Sequence, residues 1–416
     1  MHLPRSAVLC AVLCACAGGP PLSRLTPADA NRDVDRARQA YTAQPSPEAQ
    51  LALGEAQYRA GQDTAARATL RSLTSASGEI ADRAALYDAA AADQLGDLGA
   101  AHQGYTRWLA HHDDGAIRAR LGDVDRRQAD AAARAAIASE QSLDAASIPA
   151  HTVGVAPLHV TGGDSTISSL GFGLADLLIT DLSRSAQLQV VDRTRTDALL
   201  RELALARSGR VDSATAPRVG RLIGARRIVN GVVDATPGGH LTVNTRIADA
   251  ANGTLVGQPV TERTSLDDIL DSEKALAFSL FTELGVTLTP AERAAVEQRP
   301  TRYLSAFLAY SNGVRAEAYG DYRTAHAYYA RAVMIDPGFS AAASRMQSVS
   351  VPSDQQPNGT ATAAATAPVT PSAVIDALNP SPAGSLGSFR DRGDATLRAT
   401  TEAKVPGSIT IPIAVP

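Results

Sequence analysis

All three cysteines of this 416-residue chain, Cys10, Cys14 and Cys16, fall within its first sixteen positions. The last closes Leu13-Cys14-Ala15-Cys16, behind Arg5 and an apolar run from Ala7 to Leu13. A positive end, an apolar core and a small residue before a thiol make the layout of an export signal whose thiol accepts lipid. The run is too short to cross a bilayer, which takes about 20 apolar residues. Cleavage after Ala15 would leave Cys16 as an acylated N-terminus, each buried methylene adding roughly 0.8 kcal/mol of membrane affinity. The alternative is that Ala15-Cys16-Ala17 is an ordinary small-x-small cleavage site that releases a soluble periplasmic or secreted product. Either way the mature chain contains no disulfide, and packing alone must stabilise it.

Other residues of chemical interest have plainer readings. In His111-His112-Asp113-Asp114 neighbouring side chains diverge on a helix, so no metal site is expected. Gly171-Phe172-Gly173 lacks the third glycine and the Lys-Ser/Thr of phosphate loops, and is expected to serve turning and packing. No nucleophile elbow or zincin pair is present. Arg193, Arg195, Arg201, Arg207 and Arg210, with Asp197 and Glu202 among them, read as a solvated helix face or, alternatively, a patch for an acidic partner. A net charge of −4 with 20% charged residues offers no basic field for nucleic acid. Neither catalysis nor a cofactor is expected.

The elements that would hold these residues come in two kinds. From about Asn31 to Leu143 the chain is alanine-rich and helical, with Gly and Asp punctuating it at the intervals of a tetratricopeptide (TPR) repeat. In the first copy Gly54 precedes a turn at Ala60-Gly61-Gln62-Asp63, then Ala66, Leu70 and Leu73. In the second, Ala89 precedes Gly96-Asp97-Leu98-Gly99, then Ala101, Tyr105 and Trp108. A third copy runs through Gly313, Gly320-Asp321-Tyr322, Ala325, Tyr329, Ala332 and Pro337. Small residues let paired helices approach, and stacked pairs form a binding groove; a plain helical bundle is the other reading of the N-terminal copies. The aromatic cluster Tyr303, Phe307, Tyr310, Tyr319, Tyr322, Tyr328 and Tyr329 is expected to form core and groove lining. From it Tyr310, Tyr319, Tyr322 and Tyr329, with Tyr105 and Trp108 upstream, are the candidate protein-binding residues.

Between His151 and Leu288 β-branched runs alternate with amphipathic helices. A strand is expected over Thr152–Leu158, ended by a loop at Thr161-Gly162-Gly163-Asp164. Leu170, Leu174, Leu177, Leu178 and Leu182 then mark a helix whose Asp176, Thr180 and Arg184 point away from the sheet. Gln189–Asp192 reads as a strand, and Leu199, Leu200 and Leu203 as a helix. Ser213 or Thr215 would cap the next helix, which Pro217 opens and Gly224 stops. Strands follow at Arg227–Asp234, Leu241–Ile247 and Thr254–Thr264, with Asn252-Gly253 as the turn between the last two. A helix through Leu276, Leu280, Phe281 and Leu284 closes an α+β or α/β sandwich with a mixed sheet.

The runs Val153-Gly-Val-Ala-Pro-Leu, Gly173-Leu-Ala-Asp-Leu-Leu, Leu188-Gln-Val-Val-Asp-Arg193, Leu222-Ile-Gly-Ala-Arg-Arg-Ile-Val-Asn-Gly231 and Ile247-Ala-Asp-Ala-Ala-Asn-Gly-Thr254 resemble the CsgG-related fold. That group takes in the curli secretion lipoprotein, LpoB-like activators of penicillin-binding proteins, FlgO-like flagellar proteins and TolB amino-terminal-like regions. About a third of the chain is covered. The resemblance implies a lipoprotein at the outer membrane facing the periplasm, where Ala17 in place of an aspartate also points. The curli member forms a channel through inserted strand pairs, but here only Asp234 to His240 joins two strands, and Thr261 to Glu273 is strongly charged. Charge is costly in hydrocarbon, so no channel is expected.

The expected order is a leader at 1–15, a tether at 16–30, TPR-like repeats at 31–145, the α/β unit at 151–290, a TPR-like hairpin at 300–346 and an Ala/Thr/Pro/Ser-rich disordered tail at 347–416. The function expected is that of a non-catalytic, protein-binding adaptor in envelope assembly or export, with other envelope proteins as partners, the lipid as its hold on the membrane, and self-association left open. The alternative is a sensing module whose α/β unit recognises a small ligand or envelope signal.

Overall fold

The computed structural model describes residues 22–75, 77–163, 167–205, 211–212, 214–236 and 239–350. Cys16, the leader, Arg207, Arg210, Ser213 and the tail from 351 lie outside them. Six helices come first: α1 (Pro27–Ala43), α2 (Pro47–Arg59), α3 (Asp63–Leu70), α4 (Glu79–Gln94), α5 (Leu98–Leu109) and α6 (Gly115–Ala138). Several boundaries have a local cause. Ser46, Asp97 and Asp114 accept backbone N–H bonds at the starts of α2, α5 and α6. Gly61 and Gly96 turn the chain at positive φ after α2 and α4. A Cβ at Gly54 would lie 2.4 Å from Leu70, and one at Gly104 2.5 Å from Ala89, so α2 packs on α3 and α4 on α5 at a separation that only small residues allow. Tyr58, Tyr87, Tyr105 and Trp108 fill the space between the pairs. Folded structure begins earlier than the expected tether boundary at 30, because Leu22 is buried and its carbonyl accepts the Tyr58 hydroxyl at 3.2 Å.

The α/β unit contains β1 (Thr152–Val155), β2 (His159–Gly162), α7 (Leu170–Leu182), β3 (Gln189–Val190), α8 (Arg193–Glu202), α9 (Ala216–Ile223), β4 (Arg227–Thr236), β5 (His240–Asp249), β6 (Leu255–Ser265) and α10 (Ile269–Glu283). The sheet order is β3-β1-β4-β5-β6, with β2 also paired to β4. Strands β1 and β2 run parallel to β4, and β5 and β6 are antiparallel, so the sheet is mixed as expected. The single strand expected over 152–158 is in fact two. Pro157 has no N–H to offer the ladder, and the Leu158 N–H turns to the Gly171 carbonyl at 3.2 Å, so the chain re-enters as β2, taking Thr161 and Gly162 out of the expected loop.

Four helices follow: α11 (Pro290–Val296), α12 (Leu304–Ala318), α13 (Tyr322–Ile335) and α14 (Ser340–Ser348). They do not form a separate hairpin. One apolar core runs from Val153 and Val229 through Leu174 and Leu178 to Phe307, Tyr310, Phe339 and Val349. The expected tail boundary at 347 shifts accordingly, since Gln347 and Ser348 are helical and Val349 is buried. Helix α6 joins the front half to the rest by packing on α8, α9 and α14.

Gly171 and Gly173 show why small residues open α7. A Cβ on Gly171 would lie 1.9 Å from the Leu158 carbonyl oxygen, and one on Gly173 1.9 Å from the Ser311 hydroxyl. The first obstacle is backbone and cannot rotate aside. Gly171→Ala is therefore expected to push α7 off β2 and cost about 2–3 kcal/mol, the range for an overpacked core. Urea denaturation checks this, and an unchanged midpoint would refute the close approach.

Candidate functional site

In and around the α/β unit, two buried charge clusters and a polar sheet face hold side chains set by tertiary packing. In the larger cluster Arg193 of α8 is 5% exposed, with Asp176 of α7, Asp197 of its own helix and Glu317 of α12 around its guanidinium. Its Nη1 donates to Asp197. Nε and Nη2 lie 2.9 Å from Asp176 and 2.7 Å from Glu317 but off the hydrogen-bond line, so those two attractions are chiefly Coulombic. Arg345 of α14 donates to Asp176 at 2.5 Å, and Tyr329 of α13 donates to Glu317 at 2.6 Å. The Tyr310 hydroxyl donates to the second Asp176 oxygen.

Burial raises the Asp197 carboxyl to about 6 although Arg193 opposes the shift. Burial would raise Glu317 too, but Arg193 and Arg345 together outweigh it and hold the group down to about 2. The cluster thus joins α7 and α8 of the sheet unit to α12, α13 and α14. A reading of Arg193 as part of a solvated face is overturned, because Asp176 and Glu317 draw it inward while α12 covers it. Of the same run, Arg195 is exposed and Arg201 reaches Asp130 of α6 at 2.7 Å.

A second cluster sits between α7 and α10. Lys274 Nζ lies 2.6 Å from Asp181 and 3.2 Å from Glu273, whose side chain is wholly buried. Burial, followed by the neighbouring Asp181 charge, lifts Glu273 to about 8. These groups face each other inside the protein, each 9% exposed or less.

The sheet has unlike faces. Val229, Val233, Val243 and Ile247 point into the core under α7 and α10. On the other side Ile228 and Ala248 lie under α8 and α9, and Asn230 is buried beneath Val211, to whose carbonyl its amide donates at 3.0 Å. Beyond it the alternate positions of four strands form a polar surface. The Thr161 hydroxyl of β2 donates to Asp234 of β4, the Asn244 amide of β5 reaches the other Asp234 oxygen at 3.5 Å, and Thr261 of β6 donates to Asn244 at 2.8 Å. A cleft of about 410 Å³ opens at one end of this row, bordered by His159, Asn230, Asn244, Arg246 and Asp212. Gly231 belongs there because a Cβ would meet the Asn244 carbonyl oxygen at 2.2 Å.

The candidate binding aromatics divide. Tyr105, Trp108, Tyr310 and Tyr329 are buried and act as core. Tyr319 is 40% exposed and edge-on to Phe172, and Tyr322 is half-buried beneath the Arg126 guanidinium, so these two reach the surface. His112 stacks on Trp108, Asp114 caps α6, His111 pairs with Asp82 and Asp113 with Arg118, so each member of that acidic-histidine run has its own contact. Sequence reasoning passed over the polar row. Its signal was the alternation of Thr, Asn and Arg through 242–246, which marks a face left without apolar cover.

The family model described as "Curli production assembly/transport component CsgG" matches residues 154–236, from β1 to the last residue of β4. Among solved structures, the LpoB C-terminal domain from Salmonella enterica aligns over 30% of this chain and 91% of its own length, at 12% identity and a TM-score of 0.23. Comparison with curated proteins found no match.

Proposed function

We propose that this chain, whose residues 154–236 match the CsgG family, is a non-catalytic adaptor tethered to the cell envelope, binding other envelope proteins during assembly or export. The observation that carries this is the open polar face on a body whose parts are fastened to one another. Asp176, Arg193, Glu317 and Arg345 tie the C-terminal helices to the sheet unit, and a rigid scaffold of that kind suits recognition. The strongly displaced carboxyls, Asp197, Glu273 and Glu317, are spent on packing partners inside the protein, a distribution that favours binding over acid–base chemistry. Among the described residues no helix is long and apolar enough to cross a membrane. The tetratricopeptide-like pairs α2/α3, α4/α5 and α12/α13 would add further contact surface.

Mass spectrometry of the native protein, purified from membranes with its bound partners, tests the reading. The expected result is an acylated N-terminus at Cys16, loss of membrane association in Cys16→Ala, and stoichiometric envelope proteins in the preparation. A cytosolic chain that retains its leader and co-purifies with nothing would sink it.

A further inference from the structure

We propose that the cleft between α6 and the start of α8 binds a small basic amino acid, with its α-carboxylate on Arg195 and its two ammonium groups on Asp192 and Asp125. Such a site goes beyond the adaptor reading and does not depend on it.

The cleft has a volume of about 420 Å³, within the ~300–1,000 Å³ usual for small ligands. Helix α5 borders it with His102, α6 with Asp125, Ala129 and Ala132, and the head of α8 with Asp192 and Arg195. Away from the cleft the seam between α6 and α8 is closed. Ala133 packs with Ala198 and Leu199, and charges pair across the seam, Arg201 with Asp130 at 2.7 Å and Arg134 with Glu202 at 3.0 Å. At the cleft that pairing stops. Among the described residues neither Asp192 nor Arg195 belongs to an ion pair, and Asp125 pairs with His102 alone, at 3.5 Å, which is charged only when protonated. The Asp192 carboxylate accepts the Thr194 N–H at 2.7 Å, a bond that caps α8 and leaves the negative charge in place. Burial raises the Asp125 carboxyl and the Asp192 charge raises it further, against attraction from His102 and Arg126. Arg126 itself is turned away, over the Tyr322 ring and onto the Ser348 carbonyl.

With the imidazole neutral, two carboxylates face one guanidinium, which leaves one negative charge uncompensated. A ligand that answers every charge must carry two positive groups and one negative, the balance of a diamino monocarboxylic acid. Its placement follows from the helices. Asp192 is the N-cap of α8 and Arg195 stands three positions on, where side chains face each other as in a capping box, so the pair can hold the ammonium and carboxylate borne on one α-carbon. An arginine fork takes a carboxylate through two parallel bonds. The aliphatic stem then crosses half-buried Ala129 and exposed Ala132 to bring the second ammonium to Asp125, a reach set by the ~8–10 Å between packed helix axes. A diamine would leave Arg195 unused, and a neutral zwitterion would leave one aspartate unmatched. Among the described residues no group of His, Asp and Glu side chains is arranged to hold a metal ion.

Calorimetric titration of the full-length protein with L-lysine tests the proposal. Saturable one-to-one binding is expected, at least about tenfold weaker for cadaverine, for norleucine and for Nα-acetyl-lysine methylamide, each of which lacks at least one of the three charges. Asp125→Asn should weaken lysine at least about tenfold and leave norleucine unchanged, whereas Arg195→Gln should weaken lysine and norleucine and leave cadaverine unchanged. Because Arg195 is exposed, its variant should melt with the wild type and remains informative even if Asp125→Asn is less stable. No saturable heat at millimolar lysine, equal affinity for cadaverine, or wild-type affinity in Arg195→Gln would each overturn the proposal. Equal affinity for the blocked lysine would overturn it too, and would point to a lysine side chain of a protein in place of a free amino acid.

Discussion

Arg193→Met is expected to cost the folded state about 3–5 kcal/mol, the range for removing one side of a buried ion pair. The substitution keeps most of the side-chain length and removes the guanidinium that pairs with Asp176, Asp197 and Glu317 together. Arg345 would remain, 2.5 Å from Asp176 and 3.6 Å from Glu317, while Asp197 would lose its ion-pair partner and keep only the weaker attraction of Arg201 and Arg345. Against a typical stability of about 5–15 kcal/mol the loss is large, and α12 to α14 should open first. Chemical denaturation with hydrogen exchange measures both. The second arm is Arg193→Met combined with Asp197→Asn, which removes charge of both signs and should recover part of the loss. A single variant as stable as the wild type would show that the cluster is held by packing alone.

Stability should fall as pH rises from about 4.5 to about 8, and Glu273→Gln should flatten that slope. Glu273 has an ordinary value of 4.5 and a folded value near 8, so in this window the native protein retains a proton that the unfolded chain has lost. Stability must then decline with pH, because the state binding fewer protons is favoured, and the decline levels off once the native group also ionises. Asp197, raised to about 6, acts in the same direction over the lower part of the window. Glu317, held at about 2, acts oppositely and only in acid, its contribution being lost as pH falls below 4.5 through 2. The glutamine variant stays neutral, leaves the Lys274–Asp181 pair at 2.6 Å intact, and should be more stable than the wild type at pH 8 by on the order of a few kcal/mol. Melting temperatures across pH 5 to pH 8.5 decide it. Parallel curves for the two proteins would place the titration elsewhere.

The elements of the sheet unit were legible because their causes are local. Gln189–Val190, Arg227–Thr236 and His240–Asp249 are strands where β-branched residues alternate, and Gly253 turns at φ +73° where Asn252-Gly253 is written. Gly224 stops α9 in the left-handed region as its sequence position implies. The residues Gly54, Gly171 and Gly313 were recognisable as close-approach points, and a Cβ at Gly313 would indeed lie 2.5 Å from Tyr329. The split of the first strand was missed because the competitor for the Leu158 N–H is a carbonyl thirteen positions later at Gly171, which periodicity cannot foresee.

What the chain determined by itself is the order and kind of its elements, since turn chemistry and alternation act over a few residues. Which polar side chains are buried was decided only on assembly. Asp176 and Arg345 are 169 positions apart, and Asp176 is written like any polar residue on the outer stripe of an amphipathic helix. Its burial follows from α12 and α14 closing over that stripe, just as the exposure of Arg246 follows from α8 and α9 stopping short. A charge is costly or available according to what covers it, and cover is a property of neighbours distant in sequence.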